Sequence, residues 1–92
     1  MTSIEAKLAE LAVRFAGRAA EDRAALADAV ARNDRGTIRA RAHKLAGVAA
    51  MFGFPEIGEA ALVLELAAER GDPIDDPARW LDTLLADLQA RA

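Results

Sequence analysis

His43 is the only histidine of this 92-residue chain, which contains no cysteine. An imidazole ring can act as a nucleophile, a proton carrier or a metal ligand near neutral pH. Because the chain has no cysteine and only one histidine, thiol catalysis, disulfide scaffolds and zinc sites built on cysteines or on several histidines are excluded. A catalytic triad would also have to use this one histidine, so His43 is the chain's first candidate for chemistry.

The residues around His43 predict that its ring faces outward from a helix. Apolar residues recur there at helical spacing, at Ile38, Ala42, Leu45, Ala49 and Phe52. At about 100° per residue, His43 lies roughly 140° from the centre of that stripe, on the opposite side of the helix. Its neighbours on that side are small, and Gly47 lies one turn further along.

Gly47 is unexpected in the middle of a helix. Glycine there costs about 1 kcal/mol relative to alanine, and alanine occupies 24 of the 92 positions. Gly47 either leaves room for a partner to approach His43 or lets another helix pack closely. In the second case His43 is an ordinary solvated residue. The sequence leaves both interpretations open.

A cluster of basic residues surrounds the histidine in the sequence. It comprises Arg32, Arg35, Arg39, Arg41 and Lys44, with Asp34 as the one acid among them. Residues 1–55 carry a net charge of +3 and residues 56–92 one of −6. Cations beside a phosphorylated histidine would balance the charge of a transferring phosphoryl group and attract an acidic partner. The alternative is that these charges only solvate an exposed face.

Composition narrows the remaining classes of function. The net charge of −3 and a pI near 5.1 argue against a dedicated nucleic-acid-binding domain, although nucleic-acid binding through the arginine cluster stays an alternative. No glycine-rich phosphate loop accompanies His43, so the chain is not expected to take phosphate from ATP. No apolar stretch is long enough to span a membrane and no signal sequence is evident, so a cytoplasmic location is expected.

Turn signals divide the chain into five predicted helices. Their approximate ranges are 3–16, 18–32, 35–52, 55–70 and 77–90. Thr2 and Glu5 have the spacing of a capping box. Asn33 is expected to end one helix and Asp34 to cap the next. The fourth helix is apolar around most of its circumference, so we expect it to be heavily buried.

Short connections between these helices predict an all-α fold. The expected architecture is an up-down antiparallel four-helix bundle with an additional N-terminal helix. The alternative for residues 3–32 is one long first helix with a kink near Gly17. The length of the chain predicts a single domain over residues 1–92.

The run from His43 to Gly53 resembles the central motif of histidine-containing phosphotransfer (HPt) domains. It reads His-Lys-Leu-Ala-Gly-Val-Ala-Ala-Met-Phe-Gly. The family motif is His-x-Leu-Lys-Gly, followed by small residues and a second glycine at the helix end. The preceding Ala-Arg-Ala and the following Phe-Pro-Glu-Ile also fit, as do the length and the helix order of the chain. The resemblance implies an HPt-like domain over residues 1–92.

This resemblance implies that His43 is the phosphoacceptor of a two-component phosphorelay. Its Nε2 atom would accept a phosphoryl group from an aspartyl phosphate on a receiver domain and pass it to another receiver. The partners would be receiver domains of response regulators, of hybrid histidine kinases, or of both. Mg²⁺ would be bound by the receiver, and the chain would have no cofactor or metal of its own. It would be a monomeric phosphocarrier without independent catalysis.

The resemblance also assigns supporting residues. Glu65 aligns with a polar position that, in family members, hydrogen-bonds the other ring nitrogen of the histidine. The alternative is that Glu65 is a surface charge of its own helix. The receiver would dock on the face around Gly47, which includes Ala40, Ala46, Ala50 and Met51.

One departure from the family pattern concerns position 46. Lysine is usual there, and this chain has Ala46. Arg39, one turn before the histidine, and Lys44, directly after it, are the candidates for the missing positive charge. The departure leaves a second function open, in which a non-catalytic helical module binds a receiver or a kinase without carrying phosphate.

Overall fold

The computed structural model describes residues 3–91 of the chain, and these residues form five α-helices. The helices are α1 (Ser3–Gly17), α2 (Ala19–Ala31), α3 (Arg35–Met51), α4 (Pro55–Arg70) and α5 (Asp75–Arg91). The described residues contain no strand, which confirms the all-α prediction. Thr2, one half of the predicted capping box, lies outside the described residues.

The first two helices meet at Arg18. The Arg18 amide donates to the carbonyls of Arg14 and Phe15, both at 3.1 Å, and the Arg18 carbonyl accepts the Asp22 amide at 3.0 Å. Arg18 therefore closes the last turn of α1 and opens the first turn of α2. Residues 3–32 thus form two helices joined near Gly17 rather than one.

The turn between α2 and α3 has the chemistry that its sequence predicts. Asn33 adopts a left-handed conformation, with φ of 52°. The Asp34 carboxylate caps α3 by accepting the Thr37 hydroxyl at 2.7 Å and the Thr37 amide at 3.2 Å. These two bonds, the hydroxyl bond above all, hold the pKa of Asp34 below its ordinary value of 3.8. A local cap therefore fixes where α3 begins.

The last helix begins at Asp75, two residues before the predicted start at 77. The Ile74 carbonyl accepts the Ala78 amide at 2.9 Å, so the first turn starts earlier than the position of Pro77 suggests. Pro77 lies within this first turn, where an amide has no partner in the helix and the missing N–H costs nothing.

The core is apolar, and alanine supplies much of it. Its largest fully buried side chains are Ile38, Leu64, Leu81 and Leu85. The predicted stripe of α3 lies in this core, except that Phe52 is half-buried. Among residues 3–91, no polar or charged residue is buried.

The fourth helix is heavily buried, as its apolar sequence predicts. Seven of its sixteen residues are buried, among them Ile57 and Leu64. Its exposed side carries Leu62 and Val63, which are 47% and 39% exposed. Packing against α3 and α5 covers part of α4, and the side that carries Leu62 and Val63 faces solvent.

Helices α2–α5 contact one another in a closed ring, which makes the fold a helical bundle. α3 packs most extensively on α4, α4 packs on α5, α5 on α2, and α2 on α3. α1 has small contacts with α2 and α5. The Phe15 ring attaches α1 near its end: it stacks on Phe54 with centroids 5.3 Å apart and meets Phe52 edge-on at 6.5 Å.

Candidate functional site

His43 lies near the middle of α3, on its exposed side. Its side chain is 73% exposed, whereas Ala42 and Leu45 are buried. The cap at Asp34 fixes the start of the helix, and burial of the apolar stripe fixes its rotation. Together they turn the imidazole toward solvent.

Glu65 on α4 orients the imidazole ring. Its Oε2 atom lies 2.8 Å from Nδ1 of His43, and the Glu65 side chain is only 13% exposed. A carboxylate accepts hydrogen bonds and donates none, so Nδ1 carries the proton in this contact. In a neutral imidazole this leaves the lone pair on Nε2. The ring thus presents a nucleophilic nitrogen on the side away from Glu65.

Gly58 allows α4 to lie close to the backbone of α3. A Cβ atom added at Gly58 would lie 3.4 Å from the Ala46 carbonyl oxygen and 3.5 Å from the Ala50 nitrogen. These are ordinary van der Waals distances, so alanine would also fit at this position. The small residue at position 58 lets α4, which carries Glu65, pack directly on the backbone of α3, which carries His43.

Arg35 joins the start of α3 to the end of α4. Its guanidinium donates hydrogen bonds to the backbone carbonyls of Ala67, Ala68 and Asp72, at 3.3, 3.5 and 2.8 Å. The last carbonyls of a helix have no partner within it, and a cation there is also favoured by the helix dipole. Arg35 thus holds the two helices at the end opposite Gly58.

Gly47, unlike Gly58, does not lie against a neighbouring helix. A Cβ atom added there would meet nothing within 4 Å, so the interpretation of Gly47 as a close-packing residue is wrong. A side chain at this position would therefore begin in open space, one turn from His43 on the same side of α3. The absence of a side chain leaves the approach to the imidazole open.

The residues predicted to dock a partner differ in accessibility. Ala40, Gly47 and Ala50 are exposed, and Met51 is 68% exposed. Ala46 is half-buried and packs against the core next to Gly58. The exposed face around His43 is therefore smooth, and Ala46 contributes only part of its surface to it.

The basic cluster is divided among different roles. Arg32 pairs with Asp28 at 2.9 Å, and Arg35 binds the end of α4, so neither is directed at His43. Arg39 and Lys44 are exposed, and within the described part of the chain neither forms an ion pair. These two cations stay available to an incoming anion.

Residues 10–92 match the family model described as Hpt domain. The chain belongs to the Hpt domain family. Neither the comparison with curated proteins nor that with solved structures gives a match. The resemblance inferred from the motif at His43 is thereby confirmed. Hpt domains serve phosphotransfer in two-component signalling and interact with receiver domains.

This Hpt domain offers few groups for other kinds of site. Residues 3–91 hold no cluster of three or more His, Cys, Asp or Glu side chains that could bind a metal ion. In the same part of the chain, no helix is both long and apolar enough to cross a membrane.

The sequence does not indicate the packing roles of Gly58 and Arg35 in this Hpt domain. Gly58 and Gly47 are both glycines inside a helix of an alanine-rich chain, but only Gly58 packs against another helix. By sequence position, Arg35 belongs to the cations near His43. Its real partners are backbone carbonyls more than thirty residues away, which no local pattern indicates.

Proposed function

We propose that this Hpt domain is a phosphocarrier of a phosphorelay, with His43 as the residue that carries the phosphoryl group. The observation that supports the proposal is the exposed imidazole whose Nδ1 is bound by Glu65, so that Nε2 is free for attack. The donor is an aspartyl phosphate on a receiver domain. The acceptor is the aspartate of another receiver, in a response regulator or a hybrid histidine kinase.

The transfer balances without a proton leaving the ring. The Nε2 lone pair forms a bond to phosphorus while the bond between phosphorus and the aspartyl oxygen breaks, and the aspartate departs as a carboxylate. The imidazole then bears a positive charge, and the Glu65 carboxylate at Nδ1 stabilises it. Passage to the second receiver reverses these bond changes. The sequence has no glycine-rich phosphate loop, so we expect the receiver to supply both the Mg²⁺ and the reactive aspartate.

The smooth face around His43 suits receiver docking. Gly47, Ala40 and Ala50 put little bulk beside the imidazole, and Met51 adds an apolar contact at the edge. Arg39 and Lys44 supply the positive charge of the lysine that the family usually has at the position of Ala46. They attract the phosphoryl group and the acidic surface of the receiver around it. A small apolar area with a charged border is typical of transient complexes.

The proposal includes the finer architecture of the domain. We infer an up-down antiparallel four-helix bundle formed by α2–α5, with α1 as the additional helix, within one domain over residues 1–92. Two contacts support antiparallel α3 and α4: Arg35, at the start of α3, binds the end of α4, and Gly58, near the start of α4, meets the end of α3. We further propose that the domain acts as a monomer in the cytosol, where it meets its receivers.

The decisive experiment is transfer of labelled phosphate from phosphorylated receivers to the wild-type chain and to His43→Gln. We expect label on the wild type alone, as an acid-labile and alkali-stable phosphoramidate. His43 is exposed, so the variant should keep its circular dichroism spectrum and thermal midpoint. Incubation with ATP alone should label neither protein. Equal labelling of the folded variant would rule out His43 as the acceptor.

The second candidate is a module that binds a receiver or a kinase without carrying phosphate, and Ala46 in place of lysine is the observation that favours it. Receiver binding would then be the same for the wild type and His43→Gln, and no phosphoramidate would form with any receiver. Binding measured by calorimetry beside the transfer assay separates the two functions.

A further inference from the structure

A pocket lies between α1, α2 and α3, on the side of α3 away from Glu65. Its volume is about 250 Å³. Six apolar side chains form its floor and walls: Leu11, Phe15, Leu26, Leu45, Val48 and Phe52. The pocket is therefore a place where an apolar group can be removed from water.

Cations line the rim of the same pocket. They are Arg14, Arg18, Arg41 and Lys44. Arg14 pairs with Glu10 on α1 at 3.2 Å. Arg18, between α1 and α2, pairs with Glu21 on α2 at 3.9 Å. Arg41 and Lys44 lie exposed on α3. Neither forms an ion pair with another described residue.

Asp22 is the one acid that lines the pocket. Burial raises its pKa above the ordinary 3.8, although the charges of Arg18, Arg41 and Lys44 act in the opposite direction. Asp22 is half-buried, and burial of its carboxylate outweighs the favourable effect of these three cations. An anionic ligand would place its charge at the rim, near Arg41 and Lys44, and its apolar part inside.

We propose that this pocket binds a small amphipathic carboxylate, with its hydrocarbon part on the apolar floor and its carboxylate paired with Arg41 and Lys44. The apolar floor and the unpaired cations are two separate observations that lead to the same ligand class. The volume lies just below the range of about 300–1,000 Å³ for drug-sized ligands, so the hydrocarbon part is short. Binding of this kind needs no phosphoryl transfer, although it engages Lys44, to which the proposed function also gives a role.

The first test is a titration of the uniformly ¹⁵N-labelled protein with decanoate, well below the concentration at which it forms micelles. We expect saturable shifts of amide signals from residues that line the pocket. Two matched ligands separate the two parts of the proposal: decanol has the hydrocarbon without the charge, and acetate has the charge without the hydrocarbon. Both should bind at least about tenfold more weakly, the loss expected when one charge-assisted contact or the apolar burial is removed.

Variants test the placement of the carboxylate. Arg41→Gln and Lys44→Gln should each weaken decanoate binding several-fold. Arg79→Gln, a change to an exposed arginine of α5, should leave it unchanged. All three sites are exposed, so each variant should fold, and circular dichroism checks this.

Three outcomes would overturn the proposal. Equal affinity for decanol and decanoate would show that the cations do not take part. Shifts centred on exposed apolar residues such as Ile4 and Val13 would show non-specific adsorption. Shifts at the pocket on addition of a receiver, with none on addition of decanoate, would assign the pocket to the protein interface. Because the readout is binding, none of these outcomes bears on whether His43 carries phosphate.

Discussion

Nδ1 of His43 and Oε2 of Glu65 lie 2.8 Å apart, although the two residues are 22 positions apart in the chain and on different helices. The carboxylate is mostly buried and the imidazole mostly exposed. This contact connects the packing of α3 on α4 to the chemistry of the exposed ring, because it decides which ring nitrogen holds the proton.

Replacement of Glu65 should slow phosphoryl transfer. We expect Glu65→Ala to reduce the single-turnover rate by about 10-fold or more, since a hydrogen bond to a charged group contributes about 1.5–3 kcal/mol. Glu65→Gln keeps an acceptor for Nδ1–H but lacks the charge, so its rate should be intermediate. The ¹⁵N shifts of the ring report the tautomer independently: Nδ1–H should predominate in the wild type and in Glu65→Gln. An unchanged rate and an unchanged tautomer in Glu65→Ala would contradict the orienting role.

Replacement of Gly47 by a larger residue should stabilise α3 and hinder docking of the receiver. A Cβ atom at position 47 meets no atom of another helix within 4 Å, so Gly47→Ala should stabilise α3 by about 1 kcal/mol. Gly47→Gln should also fold, yet slow transfer from the receiver by obstructing its approach. Ala90→Gln adds the same side chain to an exposed position of α5 and serves as the control. Similar transfer rates for both glutamine variants would refute the steric role of Gly47.

Arg35 should contribute measurably to the stability of the fold. Arg35→Ala removes the donors to two carbonyls at the end of α4 and to one in the turn after it, and we expect a loss of about 1–2 kcal/mol in the free energy of unfolding in urea. Arg35→Lys should recover part of it. Arg32→Ala breaks only an exposed ion pair with Asp28 and should cost less than about 0.5 kcal/mol. Equal losses for Arg35→Ala and Arg32→Ala would show that the bonds to α4 do not stabilise the bundle.

The cap at Asp34 should make stability depend on pH in the acid range. The pKa of Asp34 is lower in the folded state than its ordinary 3.8. The contribution of the carboxylate is therefore complete above that value and is lost as the pH falls through the folded pKa. Asp34→Asn keeps the capping acceptor without the titrating group. Urea unfolding at a series of pH values should show the wild type losing stability relative to Asp34→Asn below pH 3.8; parallel curves would contradict this.

The sequence predicted the local features of the site better than the contacts between helices. The apolar stripe that ends at Phe52 indicated that His43 faces outward, and Asn33 and Asp34 marked the turn before α3. These signals work because periodicity and capping involve residues close in the chain. The contact between Glu65 and His43 came only from the resemblance to a family.

The sequence did not predict which residues lie at contacts between helices, because these contacts depend on how the helices pack against one another. Gly47 and Gly58 look alike in sequence, yet one faces open space and the other faces α3. Leu62 and Val63 are as apolar as Leu64, but only Leu64 faces the core. Helical spacing gives the relative directions of side chains on one helix, and the choice of neighbours for each direction is a property of the whole bundle.

The attachment of α1 has a consequence for hydrogen exchange. Phe15 anchors its C-terminal end between two aromatic rings, while residues 3–10 are exposed. We therefore expect the N-terminal turns of α1 to release their amide protons by local opening, whereas the central amides of α4 should exchange only when the whole ring of helices unfolds. The border between these two levels of cooperativity should lie beside the pocket that α1 helps to form.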